Sequence, residues 1–309
     1  MENQPKIPLL LLQLNTPGYI VNPEKKPYQV VPVEYRRGSF PGGEVFFRLD
    51  KPEAVYNQSV LVTARLRSSD DVLALLMATD ALVRAGTAQL NLKLYYVPYG
   101  RQDRVATEGE SLSLAVMGKL LQSLSYDRIF ILEPHSDATV IALGEKTTVL
   151  SSGSEGFSDF VVGKLMASNG PGLENVVLVS PDAGAAKRVE RMAHELQLLD
   201  VAEGKKHRDL TTNKLSGFGV DRADFTGKTC LIADDLCDGG GTFVGLAQVL
   251  RARGATAVHL MVTHGLFTKG LAPFQGVIDT IYTTNSFRDA SELESVEGVT
   301  LHEYKLPLF

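Results

Sequence analysis

Apolar and polar positions fall in blocks along this chain, and the blocks read as strand then helix many times over. Leu92–Val97 and Arg128–Leu132 are short, largely apolar runs of strand length. Between them, Ser111–Leu124 carries Val116, Leu120 and Leu124 at helical spacing, which predicts an amphipathic helix. Asp71–Arg84 repeats that pattern, with Ser69 or Asp70 in place to cap it. A serine- and glycine-rich stretch, Leu150–Gly156, interrupts the blocks and reads as a domain joint. The pattern then resumes: strand Val176–Val179, helix Ala185–Leu198, strand Thr229–Ala233, helix Phe243–Arg253, strand Ala257–Val262. Strands alternating with helices of ten to fifteen residues predict parallel sheets flanked by helices. The fold class is therefore α/β, as two similar domains over residues 1–150 and 151–309, the extreme C-terminus packing back on the first.

Two stretches depart from the rule. Glu203–Asp224 is polar, charged and weakly periodic, and reads as a long loop, functional or disordered. Ile7–Leu14 is strongly apolar, but Glu2 precedes it and no small-residue cleavage site follows. It is too short to span a bilayer, so an edge or interface strand is expected.

Composition narrows the partners. The 309 residues are 44% hydrophobic and 22% charged, with a net charge of −5. That balance suits a soluble globular protein and argues against wholesale nucleic-acid binding. Cys230 and Cys237 are too few for a disulfide framework. They read as reduced thiols, one in a strand and one in a loop, which predicts a cytoplasmic protein with no membrane partner.

The chemistry concentrates where strands end, which is where parallel sheets gather their ligands. Thr229–Ala233 runs into Asp234-Asp235, then Asp238-Gly239-Gly240-Gly241-Thr242, then a helix. Glycines bring backbone N–H groups close to an anion, and the following helix points its positive end at the same spot. The acids suit sugar hydroxyls or hydrated magnesium. This is neither a P-loop nor the dinucleotide fingerprint, because no Gly-Lys-Ser/Thr and no G-x-G-x-x-G is present there. Arg101-Gln102-Asp103-Arg104, Glu133-Pro134-His135, Ser180-Pro181-Asp182 and Thr263-His264 follow other strands. Together they predict a polyanion and metal site. Taken alone, Asp182 reads as a cap for the following helix and His135 as an exposed strand-end histidine. His259 and His194 read as structural.

At these residues the chain resembles the ribose-phosphate diphosphokinases, which make 5-phosphoribosyl 1-diphosphate (PRPP) from ATP and ribose 5-phosphate. The likeness rests on Pro98–Arg104, Val179–Arg188 and Asp234–Thr242. Ser39–Glu44, Ser68–Leu82, His135 and Thr263-His264-Gly265 extend it. The resemblance implies that Asp234, Asp235, Asp238, Gly239, Gly240, Gly241 and Thr242 hold ribose 5-phosphate. It implies that Arg101, Gln102 and Asp103 line the ATP site, with Phe40 and Glu44 contacting adenine from a neighbouring subunit. His135 and Asp182 would serve Mg2+, and Lys206 and Arg208 would belong to a mobile catalytic flap, acting on the transferring group with Arg101. Gly42, Glu133-Pro134 and Gly204-Lys205 depart from the family pattern. The short segment after Phe287 leaves ADP or phosphate regulation and a hexamer without support, so a symmetric dimer is the expected homo-oligomer. Two other readings stay open: a type I phosphoribosyltransferase that consumes PRPP, and a non-catalytic regulatory subunit of synthetase type.

Overall fold

Residues 7–16, 28–170, 172–208 and 215–308 are described by the computed structural model. The chain divides into two compact units, Met1–Ser151 together with Pro307–Phe309, and Ser152–Leu306.

The first unit holds, among the described residues, strands β1 (Ile7–Leu14), β2 (Tyr28–Pro32), β3 (Tyr35–Ser39), β4 (Val45–Leu49), β5 (Ser59–Ala64), β6 (Gln89–Lys93), β7 (Arg128–Leu132) and β8 (Thr147–Leu150). Its helices are α1 (Ser69–Arg84), α2 (Ser113–Gln122) and α3 (Asp137–Leu143). Six strands form a parallel sheet in the order β2-β1-β5-β6-β7-β8, while β3 and β4 make a separate antiparallel pair. Ile7–Leu14 is therefore not an edge: β1 lies between β2 and β5, with Leu10, Leu12 and Leu14 in the core.

Alternation decides which side chains enter that core. Val60 and Val62 of β5 and Leu90 and Leu92 of β6 join it with Leu75, Ala78 and Leu82 of α1. Each such leucine contributes about 1.5–3 kcal/mol by leaving water. On α2 the buried positions are Leu114, Met117, Gly118 and Leu121; Leu120 and, just beyond the helix, Leu124 pack against the core as expected, whereas Val116 is 62% exposed. Gly118 allows α3 to come close, since a β-carbon there would meet the Ala142 carbonyl oxygen at 2.2 Å. The cap of α1 is Ser68, one residue before the expected position. Its hydroxyl accepts from the Asp71 N–H, and the Asp71 carboxylate accepts from the Arg67 and Ser68 N–H groups in return. The other face of β6 carries Lys93, whose ammonium donates to the carbonyls of Pro307 and Leu308, each at 3.2 Å.

The second unit holds strands β9 (Val176–Ser180), β10 (Val201–Arg208), β11 (Leu215–Val220), β12 (Thr229–Cys237), β13 (Ala257–Gly265), β14 (Thr280–Thr284) and β15 (Thr300–Tyr304), with helices α4 (Phe157–Asn169), α5 (Ala186–Leu196) and α6 (Gly241–Ala252). The order among the described residues is β11-β10-β9-β12-β13-β14-β15, parallel throughout except for antiparallel β11. Both faces are covered. Cys230 and Ile232 pack with Leu246 and Leu250 of α6, whereas Leu231 and Ala233 pack with Val189 and Met192 of α5. Strands buried on two sides read as unbroken apolar runs, which is why they were legible.

The wiring of the two parallel sheets is the same. In each, the second strand lies to one side of the first, an antiparallel excursion follows, and the third and later strands continue on the other side. Each sheet therefore reverses direction once, between β1 and β5 and between β9 and β12.

Candidate functional site

In the second unit the reversal falls between the carboxyl ends of β9 and β12, where open α/β sheets form their binding crevice. Strand β12 does not stop at the acids as the sequence suggested. Its ladder with β13 runs on to Leu236↔His264 and Cys237↔Gly265, so Asp234, Asp235 and Cys237 are all strand residues. Both cysteines are buried in that one strand, correcting the expected loop position of Cys237.

Two adjacent acids in a strand need a counter-charge, and α5 supplies it. Arg188 Nη1 donates to Asp234 Oδ1 at 2.7 Å and to Asp235 Oδ1 at 2.9 Å. Asp235 is 2% exposed on its side chain and Asp234 20%. Burial, followed by the neighbouring Asp235, pushes the Asp234 carboxyl well above the usual carboxylate range, and Arg188 pulls it partly back. Arg188 entered the sequence reading without a role. The signal for it was the paired acids themselves. Asp182 caps the turn leading into α5, accepting from the Ala185 N–H at 3.2 Å.

Beyond Cys237 the glycine loop is seated by the segment after β13. The Leu266 and Phe267 N–H groups donate to the Cys237 carbonyl at 2.8 and 3.1 Å, and Thr268 Oγ1 donates to Asp238 Oδ1 at 2.7 Å. Gly240 is the N-cap of α6 at φ +78°, and a β-carbon there would meet the Phe274 ring at 2.5 Å. Only glycine satisfies both constraints. Because Gly240 offers no side-chain cap, the first N–H groups of α6 and its positive end face the Gly239–Thr242 loop. These groups make a cradle of the kind that suits an anion, with the carboxylates of Asp234 and Asp235 in the strand before it.

Lys206 and Arg208 lie on β10, not in a loop. The polar stretch is an antiparallel strand pair, with Lys206 opposite Phe218 and Arg208 opposite Leu215. Residues 209–214 of the expected flap lie outside the described residues. The base of the pair is tightly seated. A β-carbon at Gly204 would meet the Ser180 and Pro181 carbonyl oxygens at 2.7 and 2.9 Å, and the Phe218 ring lies against Gly245 of α6.

In the first unit, Arg101, Gln102 and Asp103 follow Tyr99, which is left-handed at φ +64°. The Gln102 N–H donates to the Tyr99 carbonyl at 2.9 Å, and the Gln102 carbonyl accepts from the Leu114 N–H at 3.2 Å. Arg101 and Gln102 are exposed. Ser136 Oγ donates to Asp103 Oδ2 at 2.7 Å, and His135 is the neighbour of Gly100. The turn that carries Arg101, Gln102 and Asp103 thus lies beside the segment 133–136 that carries His135. Phe40 and Glu44 close the β3–β4 turn, where the Phe40 N–H donates to the Glu44 carbonyl at 2.8 Å, and Phe40 is 56% exposed. His135 and Asp182 fall in different units. Among the described residues no group of three or more His, Cys, Asp or Glu side chains could hold a metal ion. His259 is buried against Tyr282, and burial lowers its pKa to about 4, in keeping with a structural role.

Comparison with known proteins bears on the same two units. Residues 22–124 match the N-terminal domain of ribose phosphate pyrophosphokinase, and residues 163–277 match the phosphoribosyl transferase domain. The chain is 30% identical over 271 residues to a ribose-phosphate pyrophosphokinase of Methanosarcina acetivorans, covering 86% of this chain and 88% of that one. It is 32% identical over 270 residues to that of Pyrococcus furiosus, covering 85% and 88%. In fold it is similar to phosphoribosylpyrophosphate synthetase from Mycobacterium smegmatis, with a TM-score of 0.76 over 96% of this chain and 95% of that one, at 23% identity. The two-unit α/β architecture, the glycine loop and these likenesses agree: the chain belongs to the ribose-phosphate pyrophosphokinase family.

Proposed function

We propose that this chain transfers the β,γ-diphosphoryl group of ATP to the 1-hydroxyl of ribose 5-phosphate, giving PRPP and AMP. The observation that carries the reading is the open N-terminus of α6 behind Asp234, Asp235 and Asp238. Such a cradle suits a sugar phosphate: the amides of Gly239, Gly240 and Gly241 with Thr242 take the 5-phosphate, and the acids take the ring hydroxyls. The match of residues 22–124 supports synthesis of PRPP over its consumption.

In the reaction the 1-hydroxyl oxygen bonds to the β-phosphorus and loses its proton, while the bond from that phosphorus to the α-phosphate oxygen breaks and AMP leaves. Negative charge builds between the entering and leaving oxygens, so positioning and electrostatics dominate. Arg101, Gln102 and Asp103 hold the nucleotide, with Phe40 and Glu44 of a neighbouring copy against adenine. Lys206, Arg208 and Arg101 meet the charge in flight. Magnesium needs only one or two protein groups beside substrate phosphates and water, so the sparse acid set fits an ion that arrives with ATP. His135 in the first unit and Asp182 in the second would each serve such an ion, which would supply charge neutralisation on the phosphates. The minimal assembly is a symmetric dimer, in the cytoplasm; among the described residues no helix is long and apolar enough to cross a membrane.

Incubation of the purified chain with ATP, ribose 5-phosphate and magnesium tests the reading. Equal amounts of AMP and PRPP are expected. Formation of ADP, or no turnover, would sink it.

A further inference from the structure

The segment that follows β13 is built onto the glycine loop and carries a cation to it. Phe267, at φ +43°, lays its ring where a β-carbon on Gly265 would stand, and meets the Phe274 ring edge-on at 6.1 Å. Phe274 in turn fills the space beside Gly240. The Gly270 N–H donates to the Phe267 carbonyl at 2.9 Å, closing a four-residue turn with Thr268 and Lys269 at its tip. Thr268 is bonded to Asp238 twice, by its N–H to the Asp238 carbonyl at 3.2 Å and by its hydroxyl to the carboxylate at 2.7 Å. The tip therefore has little freedom relative to the loop.

Lys269 extends from that tip along Gly239. A β-carbon on Gly239 would stand 3.4, 3.5 and 3.8 Å from its Cε, Cδ and Cγ. The ammonium, one C–N bond further, lies within about 5 Å of the same point. Lys269 is exposed and forms no hydrogen bond or ion pair among the described residues. An ordinary surface lysine extends into water, whereas this stem lies along the backbone of an anion cradle. A compact ammonium beside converging amides suits a phosphate.

We infer that Lys269 is a further substrate-binding residue, closing over the 5-phosphate from the side opposite α6, with Thr268 positioning both it and Asp238. The inference rests on the proposed function, because it takes the cradle to hold the phosphate of the acceptor sugar.

The test uses the full chain as wild type, Lys269→Ala and Lys269→Arg. Initial rates are measured against ribose 5-phosphate and against ATP separately, and ribose 5-phosphate binding is measured by calorimetry without ATP. Lys269→Ala should raise KM and Kd for ribose 5-phosphate roughly tenfold, the worth of one charge-assisted hydrogen bond. The ATP KM and kcat should stay within about twofold, and Lys269→Arg should recover most of the loss. The gap between wild type and Lys269→Ala should narrow at high salt. If wild type makes PRPP and Lys269→Ala matches it in KM and Kd, the inference fails while the function stands. A fall in kcat at unchanged KM also overturns it, since the lysine would then act on the transferring group. If wild type makes no PRPP but binds ribose 5-phosphate tenfold better than Lys269→Ala, the function fails and the subsite stands. A wild type that does not bind ribose 5-phosphate overturns both.

Discussion

Replacing Arg188 by methionine keeps most of the stem and deletes the guanidinium that bridges Asp234 and Asp235. With the two carboxylates 20% and 2% exposed, little water is at hand to take its place. Removing one partner of a buried ion pair costs about 3–5 kcal/mol when the remaining charge persists. That cost depends on pH in a definite direction. Burial and Asp235 hold the Asp234 carboxyl above its unfolded value, so the folded chain binds more protons. Stability is then fullest below the ordinary carboxylate range and drains as pH rises through the raised folded value. Arg188 limits the drain in wild type. Without it the slope steepens, by at most about 1.4 kcal/mol per pH unit for each proton. At about pH 8 the variant should melt roughly 6–20 °C below wild type. Near pH 5, three units lower, protonation should recover most of the difference. Circular dichroism melts at the two pH values read this directly. An equal drop at both would mean that Arg188 contributes packing only, and the charge argument would be wrong.

Other perturbations test separate parts of the structure. Lys206→Ala should lower PRPP formation by about 100-fold or more while leaving the melting midpoint unchanged, as stopped assays of AMP release would show. Gly240→Ala forces an L-residue to φ +78° against the Phe274 ring. It should cost about 2–4 kcal/mol by denaturant unfolding and raise the ribose 5-phosphate KM. Asp71→Asn should cost about 1–2 kcal/mol by weakening the α1 cap. Burial pushes the Asp71 pKa up, but bonds from Ser68, Arg37, the Arg67 N–H and Asn15 outweigh it and hold it below the usual range. Its stabilisation is thus present above the unfolded pKa and lost as pH falls through the folded one. Acid melts of the Asn variant should be flatter than wild type in that range.

What the sequence disclosed follows what was buried. Strands such as Val176–Ser180 and Ala257–Gly265 are buried on both faces, and their identity could be read from largely apolar runs, broken in the second only by His259 before Thr263. The continuation of β12 through Asp234 and Asp235 could not, because a charged pair ends an apolar run while the ladder needs only backbone groups. The same reason hid the β10–β11 pair: Lys205-Lys206-His207-Arg208 has no apolar alternation, yet its N–H and C=O groups find partners across from Gly217–Gly219. The glycine loop was legible because glycine and acid types carry their own chemistry. Arg188 and Lys269 were not, since each becomes part of the site only through packing: α5 on β12 for one, a tight turn against Gly239 for the other. Of the expected α2 face, Leu120 and Leu124 pack against the core while Val116 is exposed, because the buried stripe is centred on Leu114, Met117, Gly118 and Leu121.

The shared wiring of the two sheets makes one more comparison possible. In the second unit the third strand leads through glycines to a helix whose end has no side-chain cap. In the first, the third strand β5 leads through Arg65–Ser68 to α1, and there Asp71 accepts from the Arg67 and Ser68 N–H groups at 3.1 and 3.0 Å. Arg37 adds its guanidinium at 3.2 Å. A carboxylate held by backbone amides and an arginine is what a bound anion would look like, except that this one is covalently part of the chain. The entrance of α1 carries its own carboxylate and that of α6 carries none, so two copies of one topology differ in charge at a helix entrance through the choice of residue there.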